Sequence, residues 1–177
     1  MCLVECKYGC LLYGELLWLF GDVQVYCSMN YPVYPFHFAI DRYVFVSIGK
    51  RQITKVVTFT RMRFPHMFNL ALGDMLPDGR VDDSAISRNG DLGKIINTVI
   101  HIATDFLNNN PQAIVFITSA SETRLRLYHR ILSRYYPEFK LNFEITKLIR
   151  LQNIMHEVWI DEHMKNIPFA FLIRRLY

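Results

Sequence analysis

The fold is decided by one stretch, Ala113-Ile-Val-Phe-Ile-Thr-Ser-Ala-Ser-Glu-Thr-Arg-Leu-Arg-Leu-Tyr-His-Arg130. Its first part, residues 113–117, is an unbroken apolar run with β-branched side chains, which is typical of a strand covered on both faces. We therefore predict that this strand lies in the middle of a sheet. The strand pattern ends at the polar residues that follow, and a helical pattern begins after them.

The helix after this strand is predicted from its start signal and its periodicity. Ser119 followed by Glu122 has the spacing of a capping box, so we expect the helix to begin near Ala120. Pro137 is expected to end it, because proline donates no amide hydrogen to the preceding turn. An apolar stripe, which should pack on the sheet, is formed by Leu125, Tyr128, Leu132 and Tyr135. A second face carries a row of arginines, namely Arg126, Arg130 and Arg134.

The turn between strand and helix, residues 118–121, is a candidate anion site. Main-chain amides and the helix dipole both favour negative charge at such a turn, and nearby guanidinium groups would add charge-assisted contacts. The turn lacks the glycines and lysine of a phosphate-binding loop, which disfavours nucleotide binding of that type. The simpler interpretation is an ordinary capped helix start. The candidate anion-binding residues are Ser119, Ser121, Arg124, Arg126, Arg130 and Arg134.

Charge is distributed unevenly along the chain. The whole chain has a formal charge of +4, but residues 124–150 carry seven Arg or Lys against two Glu, and residues 74–91 carry five Asp against two Arg. A basic surface attracts nucleic acid, anionic lipid or an acidic protein through long-range electrostatics. We therefore expect that a partner, if there is one, is nucleic acid or an acidic protein. Ordinary solvated faces are the alternative.

The acidic segment, residues 74–91, reads as a long loop with turn chemistry at Pro77-Asp78-Gly79 and Asn89-Gly90-Asp91. Carboxylates gathered there would suit Mg²⁺ and the hydrolysis of a phosphodiester. The spacing matches no calcium-binding loop, and a solvated acidic loop is the simpler interpretation. The sequence therefore assigns no cofactor. The weak metal candidates are Asp82, Asp83 and Asp91.

A helix is predicted after this loop, and it contains a candidate general base. Asp91 or Asn89 can cap it, and an asparagine in residues 108–110 suits a left-handed closing residue. His101 lies four residues from Asn97 and from Asp105, so the aspartate could orient the imidazole. No nucleophile stands beside His101, which favours a partly exposed structural histidine. Catalytic residues stay unassigned.

The first 28 residues are expected to be an appendage or an upstream extension. All four cysteines lie in residues 2–27, so the remainder folds without disulfides, as in a reducing cytoplasm. Cys2, Cys6 and Cys10 are spaced by four, which is unlike the spacing of zinc sites. Residues 11–20 are apolar but too few to span a bilayer. The sequence also lacks the basic start and the cleavage site of a secretory signal. We expect a native start at Met29 and a single domain over residues 29–177.

The remaining pattern predicts a sheet-rich domain. Arg42 to Ile48 and Ile53 to Thr60 are β-branched and aromatic, and residues 49–52 join them as a hairpin. Alternation suggests that both faces of the first strand are largely covered. Further strands are predicted at residues 67–72, 141–145, 157–160 and 169–173. Together these elements predict an α+β domain, with a mixed or mainly antiparallel sheet and two principal helices on one face.

Several motifs that occur in a fixed order along the chain resemble those of a known protein family. They are Tyr43-Val-Phe-Val-Ser-Ile-Gly49, Ile53-Thr-Lys-Val-Val-Thr-Phe59, Asn69-Leu-Ala-Leu-Gly-Asp74, Asp82-Asp83, Asn89-Gly-Asp91 and Thr123-Arg-Leu-Arg-Leu-Tyr128. From residue 29 to the end, the chain resembles a family of small bacterial proteins of unknown function. The resemblance implies no activity and supplies no catalytic residues. Thr118 and Arg88 depart from the glycine and asparagine expected in that family.

Two classes of function follow from these observations. The first is a small cytoplasmic binding or accessory protein that contacts an anionic partner through the basic helix. The second is a metal-dependent enzyme acting on nucleic acid or nucleotides, with the acidic loop and the arginine helix on opposite sides of its site. Proximity of the acidic segment to Arg124 or Arg126 across a cleft would favour the second class. The sequence leaves the oligomeric state open.

Overall fold

The computed structural model describes residues 32–83, 87–161 and 167–176. The expectations for residues 1–28, their cysteines and the start at Met29 lie outside this part of the chain. The described elements are β1 (Phe36–Ala39), β2 (Arg42–Ile48), β3 (Gln52–Arg61), β4 (Met67–Met75), β5 (Val81–Asp82), α1 (Leu92–Asn109), β6 (Ile114–Thr118), α2 (Glu122–Phe139), β7 (Phe143–Leu151), β8 (Ile154–Trp159) and β9 (Ala170–Arg175).

These elements form one large mixed sheet with two helices, so the fold is α+β and strands dominate it. The strand order is β1-β2-β3-β4-β6-β9-β7-β8, and β5 pairs with β4 outside this path. Neighbouring strands are antiparallel except for β4 and β6, which are parallel. The predicted mainly antiparallel sheet is therefore confirmed.

The predicted central strand is β6. It lies between β4 and β9, and successive side chains point to opposite faces of the sheet. Val115 and Phe116 are both buried, although they point in opposite directions. An unbroken apolar run is needed at this position because both faces of the strand are covered.

Both helices cover the same face of the sheet. α1 packs over β2, β3, β4 and β6 in one apolar cluster, and α2 packs over β6, β7 and β9 in a second. Val115 belongs to the first cluster and Ile117 contacts both, and alternation places these two residues on the same face. Each helix also connects two strands that run parallel. α1 connects β4 to its neighbour β6, and α2 connects β6 to β7, which are separated in the sheet by the antiparallel strand β9.

The opposite face of the sheet is only partly covered. On β2, Tyr43, Phe45 and Ser47 point to α1 and are buried. Val46 and Ile48 point the other way and remain 41% and 59% exposed. The expectation that both faces of this strand are covered is therefore wrong at its end, because both helices of the described residues pack on the other face.

Three local predictions require correction. α2 begins at Glu122 with Ser121 as its N-cap, since the hydroxyl of Ser119 instead accepts from the amide of Ser121 at 3.1 Å. Pro137 lies inside the helix, which continues to Phe139 because only one hydrogen bond is lost so close to its end. α1 does not close in a left-handed residue, as Asn110 has φ −134°.

The first part of the acidic segment, residues 74–82, contains strand pairing and a closed turn, and is not simply a loop. β4 extends to Met75 and β5 pairs back on it, so that Asp82 lies opposite Asp74. The turn between them is closed by a hydrogen bond from the amide of Gly79 to the carbonyl of Leu76 at 2.9 Å. Gly79 has φ +83°, a conformation that glycine adopts without steric cost.

Candidate anion-binding surface on helix α2

The two candidate serines at the start of α2 already have intramolecular roles. Ser121 adopts an extended conformation, and its hydroxyl accepts a hydrogen bond from the amide of Arg124. Ser119 accepts from the amide of Ser121, as described above. This is the arrangement of an ordinary capped helix start, in which side-chain oxygens satisfy first-turn amides.

The first two arginines of α2 are also engaged. The Nη1 atom of Arg124 donates to the main-chain carbonyl of Asp83 at 3.2 Å, which brings the acidic segment next to α2. Arg126 lies 3.3 Å from a carboxylate oxygen of Glu122, one turn earlier on the helix. Both side chains of that pair are more than half exposed, so the pair contributes at most a few tenths of a kcal/mol.

Arg130 and Arg134 differ from the other candidates. Both are exposed, and their guanidinium groups form no ion pair or hydrogen bond within residues 32–83, 87–161 and 167–176. They line a groove of about 190 Å³ between α1 and α2. The other residues that line this groove are Leu92, Gly93, Ile96, Leu127, Ile131 and Tyr135. The groove is therefore apolar along its length and basic at one side.

Of the metal candidates, Asp91 is held by hydrogen bonds inside the protein. One carboxylate oxygen accepts from the hydroxyl of Tyr34 at 2.7 Å and from that of Ser47 at 2.6 Å. Burial opposes ionisation, but these hydrogen bonds and the positive charge of Lys55 outweigh it and hold the pKa of Asp91 below its ordinary value. Asp91 is therefore a charged structural group.

The other acidic residues are not gathered into a metal-binding cluster. Asp74 pairs with the buried ammonium of Lys55, which also donates to the hydroxyl of Ser87 at 3.1 Å. Asp82 is part of the β4–β5 ladder, and Asp83 contributes its carbonyl to Arg124. Within the described residues there is no group of three or more His, Cys, Asp or Glu that could hold a metal ion.

Asn89 fixes the end of the acidic segment to the β2–β3 hairpin. Its side chain donates to the hydroxyl of Ser47 and the carbonyl of Arg51, and accepts from the amide of Arg51, at 2.9–3.0 Å. Its carbonyl accepts from the amide of Lys50. The approach is so close that a Cβ at Gly49 would lie 2.1 Å from this carbonyl oxygen. We call Tyr34, Ser47, Asn89 and Asp91 the hairpin latch.

The latch was missed in the sequence, although a signal for it exists. Ser47 occupies an inward position of β2 and Lys55 an inward position of β3, where apolar residues are expected. Polar groups are buried only when they have partners, because an unsatisfied one costs about 1–3 kcal/mol. Their partners are 19 to 44 residues away along the chain, so periodicity does not identify them.

His101 keeps the structural character expected for it. Its ring is half-buried, and burial lowers its pKa. The carboxylate of Asp105 accepts a hydrogen bond from the hydroxyl of Tyr43 at 2.8 Å, which ties α1 to β2. That contact and burial together raise the pKa of Tyr43. Asp105 therefore serves the packing of α1 on the sheet.

A second buried polar contact lies under α2 and was also missed. Lys147 on β7 is 1% exposed, and its ammonium group lies 3.4 Å from Nε2 of His129 and donates to the carbonyl of Ile160. The His129 ring stacks on Phe171. Burial lowers the pKa of His129, and the positive charge of Lys147 lowers it further. His129 is therefore held neutral near pH 7.

The fold and this surface define a class, an α+β domain with a basic helix beside an apolar inter-helix groove. Residues 30–175 match the model of the Family of unknown function (DUF6934), so the chain belongs to that family. This confirms the resemblance to a family without an assigned activity. No curated protein and no solved structure matches the chain. Neither helix of the described residues is long and apolar enough to cross a membrane.

Proposed function

We propose that the protein is a binding or accessory protein that holds an anionic partner on α2. The observation that carries this proposal is the state of Arg130 and Arg134. They are one turn apart, exposed, and without intramolecular partners among the described residues. Arginine in this state offers charge-assisted, bidentate contacts to carboxylate or phosphate.

The experiment is binding of fluorescently labelled RNA, DNA and an acidic peptide by anisotropy, from low to physiological salt. The full chain is compared with the R126Q/R130Q/R134Q variant. If nucleic acid is the partner, binding is indifferent to base order and falls steeply with salt, and the triple variant lowers the salt slope by up to about three units on a duplex. Absence of binding to all three probes at low salt would contradict the proposal.

One observation favours the second class, a metal-dependent enzyme acting on nucleic acid or nucleotides. The contact between Arg124 and the carbonyl of Asp83 places the acidic segment beside the arginine helix. The test is incubation of the protein with RNA, single-stranded DNA and nucleoside triphosphates in the presence of Mg²⁺ or Mn²⁺. Hydrolysis that is lost in a D82N/D83N variant would establish this class, and its absence with every substrate would remove it.

We also propose that the protein works in the bacterial cytoplasm. Residues 28–177 contain no cysteine, so that part of the chain folds without disulfides. The family resemblance is to bacterial proteins. Fractionation of cells that express the protein with a C-terminal tag tests this, and recovery in the membrane or secreted fraction would contradict it.

A further inference from the structure

We infer that the partner held on α2 is an acidic amphipathic helix of another protein, seated in the groove between α1 and α2, rather than a nucleic acid. This inference rests on the proposed function and specifies the chemistry of its partner. Three observations carry it, namely the charge pattern along α2, the apolar lining of the groove and the geometry of the two helices that form it.

The arginine row of α2 is short and bounded by negative charge. Residues 122, 126, 130, 134 and 138 follow one another at steps of four, each about one turn further and rotated by about 40° around the helix, and they are Glu, Arg, Arg, Arg and Glu in that order. Glu122 pairs with Arg126, and Glu138 lies one turn beyond Arg134. The positive stretch from Arg126 to Arg134 is therefore only about 12 Å long.

This pattern disfavours a nucleic-acid backbone. A strand lying along α2 would bring phosphates against a carboxylate at each end of the row, and like charges repel. Nucleic-acid binding surfaces instead carry Lys and Arg over a wide area, because affinity grows with the number of phosphates neutralised. A pair of carboxylates one helical turn apart matches Arg130 and Arg134 in both number and spacing.

The apolar lining of the groove favours a ligand with apolar side chains to bury, and phosphate groups have none. Leu92 is 53% exposed at the start of α1, and Leu127, Ile131 and Tyr135 on α2 are only partly buried along the same groove. Apolar side chains beside exposed arginines favour a ligand that buries carbon and also presents negative charge. A protein segment with leucine-like and acidic side chains has both properties.

The shape of the groove selects a helix as the occupant. It lies between two helices and follows α2 from Leu127 to Tyr135, a rise of about 12 Å or about two turns. Side-chain ridges of a third helix pack into such a groove, with apolar anchors at spacings of three and four residues. Its glutamates would flank the apolar face on the side of Arg130 and Arg134.

The test uses a labelled peptide of about four helical turns, with leucines repeated every three or four residues and two glutamates four residues apart beside the leucine stripe. Two control probes are the peptide with lysines in place of the glutamates and a peptide of scrambled order. A short RNA and a DNA duplex complete the set. Binding is measured by anisotropy with the full chain, whose folding is checked by circular dichroism in every variant.

The inference predicts that the acidic peptide binds and that the scrambled and lysine peptides bind at least tenfold more weakly, about 1.4 kcal/mol. R130Q/R134Q should weaken binding by about tenfold or more, and L92Q should weaken it severalfold. R61Q/R63Q is the matched control, because it removes two exposed arginines that do not line the groove, and it should change binding less than twofold. The charge-reversed R130E/R134E variant should lose the acidic peptide and gain the lysine peptide.

The remaining outcomes separate the two proposals. If RNA or DNA binds through Arg130 and Arg134 while the acidic peptide does not, the inferred helix is wrong and the anionic partner of the proposed function stands. If the peptide binds equally well to the wild type and to R130Q/R134Q, the groove is not its site and the inference fails. If no probe binds at low salt, both proposals fail.

Discussion

Arg124 on α2 donates a hydrogen bond to the main-chain carbonyl of Asp83 at 3.2 Å, and this contact joins the acidic segment to the basic helix. At the other end of the segment, the hairpin latch holds Asn89 and Asp91. The two ends of residues 83–89 are thus fixed to different parts of the fold. Arg124 therefore acts as an anchor for this segment.

We predict that the R124Q variant loosens the acidic segment while leaving the fold intact. An exposed hydrogen bond from arginine contributes about 1 kcal/mol or less, so global stability should fall by no more than this. Amide hydrogen exchange in residues 81–83 should become faster, while exchange in β6 stays unchanged. Unchanged exchange in residues 81–83 would show that Arg124 does not anchor the segment.

Asn89 is predicted to be a main determinant of stability in the hairpin latch. Replacing it with alanine removes three side-chain hydrogen bonds, one to the buried hydroxyl of Ser47 and two to the main chain of Arg51. The expected loss is about 2–4 kcal/mol in the free energy of unfolding, measured by denaturant titration. The matched control is N109A, since the side-chain amide of Asn109 is exposed and its one hydrogen bond to a described residue goes to the carbonyl of Asp105. A loss no larger than that of N109A would contradict the structural role.

His129, which is partly buried, is predicted to make stability sensitive to acid. Burial and Lys147 lower its pKa in the folded protein below the ordinary 6.5. The unfolded chain therefore binds a proton first as the pH falls, so stability is unaffected by this group above about pH 7 and decreases progressively below 6.5. His101 should also decrease the stability of the folded protein as the pH falls, because burial lowers its pKa as well.

The measurement for this prediction is the unfolding free energy of wild type and H129Q between pH 8 and pH 5. H129Q should lose less stability on acidification, although it starts lower because the stacking on Phe171 is lost. H37Q is the control, since His37 is exposed on β1. Equal acid-dependent losses in H129Q and wild type would contradict the assignment to His129.

Much of the fold was predictable because it depends on local patterns. The limits of β2 match the β-branched run at Arg42 to Ile48, and the central position of β6 follows from its unbroken apolar run. The row of arginines on α2 was predicted from their spacing and is exposed as expected. In each case, the pattern that predicts the structure lies within one strand or within a few turns of one helix.

The remaining features depend on contacts that are distant in sequence. β5 exists because its two residues pair with β4, and a two-residue strand has no periodicity to detect. The contact of Lys147 with His129 joins β7 to α2 across 18 residues. Arg124 was a candidate for anion binding from the sequence, and its contact with a carbonyl 41 residues away had no local signal. The groove beside Arg130 and Arg134 depends on how α1 and α2 pack, which their separate sequences do not specify.

Residues 1–28 are predicted to be dispensable for folding. Tyr34 already anchors the chain to the core, since its amide bonds to Thr98 and its hydroxyl to Asp91. A chain that starts at Met29 should unfold with a free energy within about 1 kcal/mol of the full chain. A Y34A variant of the shorter chain should be several kcal/mol less stable, because it loses a buried aromatic ring and the hydroxyl group that bonds to Asp91. Insolubility or a large loss of stability in the chain from Met29 would refute the prediction.

The central claim, that Arg130 and Arg134 bind an anionic partner, is tested most directly by comparing two variants of equal charge. R130Q/R134Q removes two positive charges at the groove. R61Q/R63Q removes two exposed arginines at the end of β3 and in the turn that follows it. The measurement is the affinity of each for the tightest-binding anionic probe at physiological salt. The account predicts a loss of about tenfold or more for R130Q/R134Q and less than twofold for R61Q/R63Q. Equal losses in the two variants would show that the attraction comes from net charge, and would contradict a site on α2.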